Sequence, residues 1–207
     1  MKGRFTPLRL FGVDAGGPRW PNLVLTAGAL VLRPPELDDY PRWARLREES
    51  RSFLAPWEPP WPEDDLTRAA FRRRIKRYQL EIDRDEAYPF FLFRAGDEQL
   101  LGGITLGNVR RGAAQAGTIG YWMGQQHAGH GYMGIALRRL CRHAIEVMGL
   151  SRIEASCLPE NAVSIHLLEK AGFEREGIAR AYLNIAGRRR DHLLFALTAP
   201  ETPHALP

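Results

Sequence analysis

Residues 126–133 read Gln126-His127-Ala128-Gly129-His130-Gly131-Tyr132-Met133. The segment follows a run with strand character, 116–123 (AGTIGYWM), and opens a run with helical character, 132–148. In the helical run Met133, Ala136, Leu137, Leu140, Cys141, Ala144 and Met148 recur with a helical period and share one face. Gly149 follows as a helix stop. Two glycines just before a helix leave backbone N–H groups uncovered, and the helix dipole adds positive potential. Together they form an anion site of the kind a pyrophosphate occupies. No Gly-Lys-Ser/Thr follows, so this is not a nucleotide-triphosphate loop. The preceding strands read as a hairpin meander rather than a βαβ unit, which argues against a dinucleotide-binding fingerprint.

Working outward from this loop, strands and helices alternate. Upstream, 28–33 (GALVLR) reads as a strand stopped by Pro34-Pro35, and Leu37 to Phe53 as a helix with Leu37, Tyr40, Trp43 and Ala44 on one face. After a turn-rich stretch at 55–62, Asp64 and Asp65 are candidate caps for a second helix, with Leu66, Ala70, Phe71, Ile75, Tyr78 and Ile82 facing inward. Strands follow at 88–94 and 99–106, joined by a hairpin at Gly96-Asp97. Downstream, 151–157 reads as a strand and Asn161 to Ala171 as a helix capped by Asn161 and stopped by Gly172. Strands at 182–185 and 192–197 close an α/β order βααβββαβαββ. Residues 1–24 read as an N-terminal arm, 25–198 as one domain and 199–207 as a C-terminal tail.

The 207 residues suit a single domain. No apolar run approaches the about 20 residues of a membrane span, and the first residues carry no uninterrupted apolar signal region. Cys141 and Cys157 make neither a metal pattern nor a disulfide framework, which fits a reducing cytoplasm. No metal is expected. The net charge of +5 suits a polyanionic cofactor, an acidic substrate or RNA, and equally a merely basic surface. The basic segment 71–77 (FRRRIKR) could dock on rRNA or an acidic protein, or simply be a solvated face. DNA binding is disfavoured, because no helix-turn-helix pattern supports it.

Gln126-x-x-Gly129-x-Gly131 resembles the acetyl-CoA loop of the GCN5-related N-acetyltransferase (GNAT) family. Asn161-x-x-Ser164-x-x-Leu167-Leu168-Glu169-Lys170-x-Gly172-Phe173 resembles the family's second mark and stands at the expected distance downstream. Residues 53–59 (FLAPWEP), 108–112 (NVRRG), Gly120-Tyr121-Trp122 and Asp191-His192 are similar to the RimJ/RimL branch, whose members acetylate the N-terminal alanine or serine of ribosomal proteins.

The resemblance implies a mixed, mainly antiparallel sheet flanked by helices, splayed as a V between its fourth and fifth strands, 116–123 and 151–157. It implies acetyl-CoA as donor. Tyr121, Trp122 and Met123 would offer backbone to the pantetheine. Gln126, His127, Ala128, Gly129, His130, Gly131, Tyr132 and Met133 would meet the pyrophosphate, and Asn161 would reach the pantetheine arm unless it serves only as a helix cap. Ser164 stands in for the usual acid, a tyrosine whose position is Leu168 here. Glu154 and Glu58 are the candidate bases, and Trp57 a candidate acceptor contact. Gly134-Ile135 replaces the branch's frequent Thr-Glu. The implied acceptor is a protein N-terminus, with possible ribosome association, in a monomer or homodimer. The rival readings are a small-amine acetyltransferase and a weakly active acetyl-CoA-binding module on the ribosome.

Overall fold

Gly28 takes φ +58, and the chain turns back on itself there. The single strand expected over 28–33 is therefore a hairpin. β1 (Leu25–Ala27) pairs antiparallel with β2 (Leu30–Arg33). The computed structural model describes residues 23–200. The arm and tail expected at the ends lie outside the described residues, except Leu23, Val24, Ala199 and Pro200.

The helix expected over 37–53 is broken at Ser50, whose φ of −104 and ψ of 7 leave the helical region. α1 (Tyr40–Glu49) and α2 (Arg51–Leu54) lie on either side. α3 (Arg68–Asp83) is capped by Thr67, whose side chain accepts the Ala70 N–H at 3.2 Å, and not by Asp64 or Asp65. Those two carboxylates pair with Arg73 and Arg74 of the same helix instead. A neutral hydroxyl suffices as cap once arginines claim the acids.

β3 (Tyr88–Arg94), β4 (Gln99–Arg110) and β5 (Ala116–Met123) form an antiparallel meander. α4 (Tyr132–Glu146) crosses to β6 (Arg152–Cys157), and α5 (Ala162–Lys170) leads to β7 (Glu174–Ile185) and β8 (Arg188–Thr198). β7 and β8 are longer than the short strands expected, and their turn is at Ala186-Gly187. Among the described residues the result is one mixed, mainly antiparallel sheet of eight strands in the order β1-β2-β3-β4-β5-β6-β8-β7.

Alternation along β3 explains how the sheet is covered. Tyr88, Phe90 and Leu92 pack with Ala136, Leu137 and Leu140 of α4 in the larger core. Phe91 and Phe93 pack on the opposite face with Trp43, Leu46, Phe71 and Ile75 of α1 and α3. Helices thus cover both faces, which is why β3 is buried without alternation from Tyr88 to Phe93.

Among the described residues the only parallel pairing in the sheet, β5 with β6, runs from Ala116↔Arg152 to Ile119↔Ala155 and then stops. Beyond it, Gly120 to Met123 stay paired to β4, while Ser156 and Cys157 stay paired to β8. The two strands part as a V, and among the described residues one backbone edge of β5 has no strand partner from Gly120 onward. The expected splay is therefore present.

Candidate active site

Glycine at 129 and 131 permits φ of +79 and +80, a region costly for other residues. The loop these glycines shape ends in α4 with no side-chain cap. Each backbone N–H from Gly129 through Gly134 donates to no acceptor among the described residues; the first helical bond is Ile135 N–H to Gly131 O at 3.3 Å. A Cβ at Gly129 or Gly131 would meet nothing within 4 Å, so the loop faces open space. Bare N–H groups at a helix N-terminus are what an anion needs.

The cradle sits further along the chain than expected. The N–H groups of His127 and Ala128 are spent on Gly124 O and Gln125 O, at 2.9 and 3.2 Å, in a single 3-10 turn. His127 itself is buried under the loop. Burial, then the Arg94 and His130 charges, hold its imidazole below the ordinary histidine pKa. His130 is exposed and stacks on Tyr132, with ring centroids 5.8 Å apart. Gln126 is exposed beside the loop, and Met133 is buried in the core. Gly134, outside the expected set, completes the cradle.

Sequence reasoning missed Ser50. Its buried hydroxyl accepts the Gln125 N–H at 2.9 Å and ties the α1–α2 break to the start of this loop. No motif marks it, since the two residues lie 75 positions apart.

β5 alternates across the sheet, and its last residues serve two compartments. Tyr121 packs on the α4–α5 face and Trp122 on the α1–α3 face. Trp122 lies against Gly103 of β4, where an added Cβ would come within 2.5 Å of the indole nitrogen. Met123 is half-buried next to it and pairs with Gly102. On the other face burial pushes the Tyr121 phenol up to about 12, with the Ser164 side chain working against that rise. Asn161 caps α5, with its side-chain oxygen accepting the Ser164 N–H at 3.0 Å. That occupies the amide oxygen and leaves the NH2 free to donate. Leu168, one helical turn beyond Ser164, is fully buried.

On the Trp122 side, Arg47 is only 6% exposed. It grips both carboxylate oxygens of Glu58 at 2.8 and 2.7 Å, and Trp61 donates its indole N–H to the same carboxylate at 2.7 Å. The guanidinium also lies 4.0 Å over the Trp61 ring and 5.0 Å from the centre of Trp122. The Glu58 carbonyl accepts the Ala186 N–H at 3.0 Å, which fastens the β7–β8 hairpin to this loop. Trp57 is 37% exposed on the same loop. Tyr182 and His192 meet edge to face at 5.7 Å on the hairpin.

The two candidate bases are not free carboxylates. Glu58 is committed to Arg47 and Trp61. Glu154 sits in the paired, closed end of the V, opposite Thr118. It accepts from Arg110 at 2.6 Å and Arg152 at 2.9 Å. Burial works to raise its pKa, but those hydrogen bonds outweigh it and hold the carboxyl below its ordinary value. Neither geometry suits proton abstraction in the open end. Among the described residues no group of three or more His, Cys, Asp or Glu could hold a metal ion, and no helix is long and apolar enough to cross a membrane.

Residues 29–174 match the family model of the acetyltransferase (GNAT) domain. The chain belongs to the GNAT family. This GNAT chain is 36% identical over 178 residues to a probable N-acetyltransferase, YjcK, of Bacillus subtilis (strain 168), covering 86% of this chain and 98% of that one. It is 36% identical over 181 residues to the ribosomal protein uS5-alanine N-acetyltransferase of Escherichia coli (strain K12), covering 87% and 93%. Among solved structures, Mycobacterium smegmatis RimJ in complex with CoA-disulfide superposes with a TM-score of 0.81 at 33% identity, covering 89% and 91%. The protein is thus an acetyltransferase whose relatives include ribosomal-protein acetyltransferases.

Proposed function

We propose that this GNAT enzyme uses acetyl-CoA to acetylate the N-terminal α-amine of a protein, with alanine or serine first and a ribosomal protein as the acceptor class. The observation that carries this reading is the capture of both candidate carboxylates by arginine: Glu58 by Arg47, and Glu154 by Arg110 and Arg152. An enzyme without a free base favours an amine that is already neutral. An α-amine has a pKa of about 7.7–8.0, so roughly a tenth is neutral at pH 7, whereas lysine at about 10.4 is almost wholly charged. The uS5-alanine acetyltransferase similarity and the RimJ superposition support the same acceptor class.

The bare N–H groups of Gly129 to Gly134 would hold the pyrophosphate, with the α4 dipole behind them. The unpaired edge of β5 at Gly120–Met123 would run along the pantetheine, and the Asn161 NH2 would donate to it. Backbone N–H of that edge would stabilise the oxyanion as the amine attacks the thioester carbonyl. The C–N bond forms, the C–S bond breaks, the amine proton leaves to water, and Ser164 gives the thiolate a proton that it recovers from water. Holding two substrates in line supplies most of the rate. Trp57, with Tyr182 across the hairpin contact, would line the acceptor entrance.

The test is CoA release from acetyl-CoA with peptides beginning Ala, Ser or Met, an acetyl-Ala peptide and a panel of small amines. Turnover on Ala or Ser peptides and none on the blocked peptide supports the reading. Turnover confined to small amines overturns the acceptor, and binding without turnover overturns catalysis.

A further inference from the structure

We propose that Asp191 is a positioning residue for the acceptor: its carboxylate pins a bulge in β7 that turns the Tyr182 ring onto the acceptor face of the sheet. The inference rests on the peptide-acceptor reading above and deepens it. β7 and β8 pair at Ala179↔His192 and again at Leu183↔Arg190. Arg180, Ala181 and Tyr182 therefore stand opposite Asp191 alone. A bulge of this kind bends its strand and re-aims the side chains it carries. In an unbroken strand Tyr182 would share a face with Ile178 and Arg180, opposite to Ala179. His192 is the cross-strand partner of Ala179 and so takes that residue's face. The Tyr182 ring nevertheless meets the His192 ring edge to face, with centroids 5.7 Å apart. The bulge has carried the tyrosine round to the other side of the strand.

That side is the one a peptide would approach. Leu193 and Phe195 pack in the larger core with α4, so alternation turns His192 to the opposite face, the face of Trp122. His192 also stands one residue before Leu193, the partner of Cys157 at the end of β6, and hence at the open end of the V. The turn of the same hairpin is fastened through the Ala186 N–H to the Glu58 carbonyl. Tyr182 is 45% exposed in this place, a ring and a hydroxyl suited to lie along a peptide backbone.

The bulge is held against strain. Ala181 takes φ +46, a region costly for a residue that carries a Cβ. Its N–H donates to Asp191 Oδ1 at 2.8 Å. Arg189 donates from its guanidinium to the Tyr182 carbonyl at 3.0 Å. A strained backbone persists only where its surroundings hold it, and here the holder is the one residue opposite the bulge. Without the carboxylate the segment is free to leave the left-handed region and swing the ring off the acceptor face.

The experiment follows acetyl transfer to an Ala peptide and to alaninamide, which carries the same α-amine and ends after one residue. It compares Asp191→Ala, Asp191→Asn, Tyr182→Ala and the Asp191→Ala/Ala181→Gly double variant. Asp191→Ala is expected to raise the KM for the peptide about tenfold at nearly constant kcat, with a much smaller loss of kcat/KM on alaninamide. Asp191→Asn keeps an oxygen acceptor and should stay near wild type. Ala181→Gly should rescue Asp191→Ala, because glycine holds φ +46 unaided. Tyr182→Ala should show the same peptide-selective loss, and it decides the matter should Asp191→Ala fail to fold. A wild-type peptide KM in Asp191→Ala or Tyr182→Ala, equal losses on both acceptors, or no rescue by glycine overturns the role of Asp191 alone. A wild-type enzyme that acetylates alaninamide or small amines but no peptide overturns the acceptor reading and this role together.

Discussion

Arg47 and Glu58 meet through two parallel hydrogen bonds of 2.8 and 2.7 Å in a pocket walled by Trp61 and Trp122. Removing one partner of such a pair strands the other. Glu58→Ala should destabilise the fold by about 3 kcal/mol, because it leaves a buried guanidinium unpaired. Chemical denaturation measures this. Any folded Glu58→Gln should keep the pH–rate profile of wild type; a lost limb in that profile would restore Glu58 as the base.

Gly131 holds φ +80 at the mouth of the N–H cradle. Alanine there has room, since nothing lies within 4 Å, yet its backbone conformation costs about 1–2 kcal/mol. The loop can relieve that strain by leaving the left-handed region, which turns the N–H groups away. Gly131→Ala is expected to raise the Kd for CoA about tenfold, with a small fall in melting temperature. Calorimetric titration with CoA checks it.

Asn161 separates its two roles by atom. Its oxygen caps Ser164, and its NH2 is free for ligand. Asn161→Asp keeps the cap and loses the donor; Asn161→Ala loses both. The aspartate variant should melt near wild type and bind acetyl-CoA more weakly, while the alanine variant should also lose about 1 kcal/mol of stability. Equal acetyl-CoA affinity in wild type and the aspartate variant would confine Asn161 to capping.

His143 of α4 is buried, its Nε2 has no hydrogen-bond partner among the described residues, and burial, aided by the Arg139 charge, lowers its pKa from 6.5. Unfolded, the imidazole takes up a proton near 6.5; folded, it stays neutral until lower pH. Between those values the unfolded chain binds more protons, so stability falls as the pH drops below about 6.5 and levels off below the folded value. His127 acts with the same sign. His143→Leu should shrink the loss of melting temperature between pH 7.5 and pH 5.5. An unchanged slope would assign the loss elsewhere.

The glycine loop before α4 and the helix α5 were legible because their signals are local. Glycines that precede a periodic helix, and Asn161 at the head of another, need only neighbours in sequence to act. The break at Ser50 was not legible, since the pattern from Leu37 to Phe53 is continuously helical and the hydroxyl's partner, Gln125, is remote. Asp64 and Asp65 lost the capping role to Thr67 because arginines inside the same helix bind them. The fate of Glu154 was hidden for a related reason: Arg110 lies 44 positions away, and only the sheet brings it close. A carboxylate on a strand looks free until its neighbours are known. Fold was therefore readable from periodicity and punctuation, whereas the protonation state of the site depended on long-range ion pairs.

The Ser50–Gln125 hydrogen bond joins two regions that, in the proposed reading, would meet different molecules. Ser50 ends the helix that carries Arg47, and Gln125 begins the turn that leads into the N–H cradle. An acceptor that moved α2 would then also move the loop proposed to hold the donor, and the two ligands would be thermodynamically linked. Whatever factor one contributes to the other's affinity is returned in equal measure.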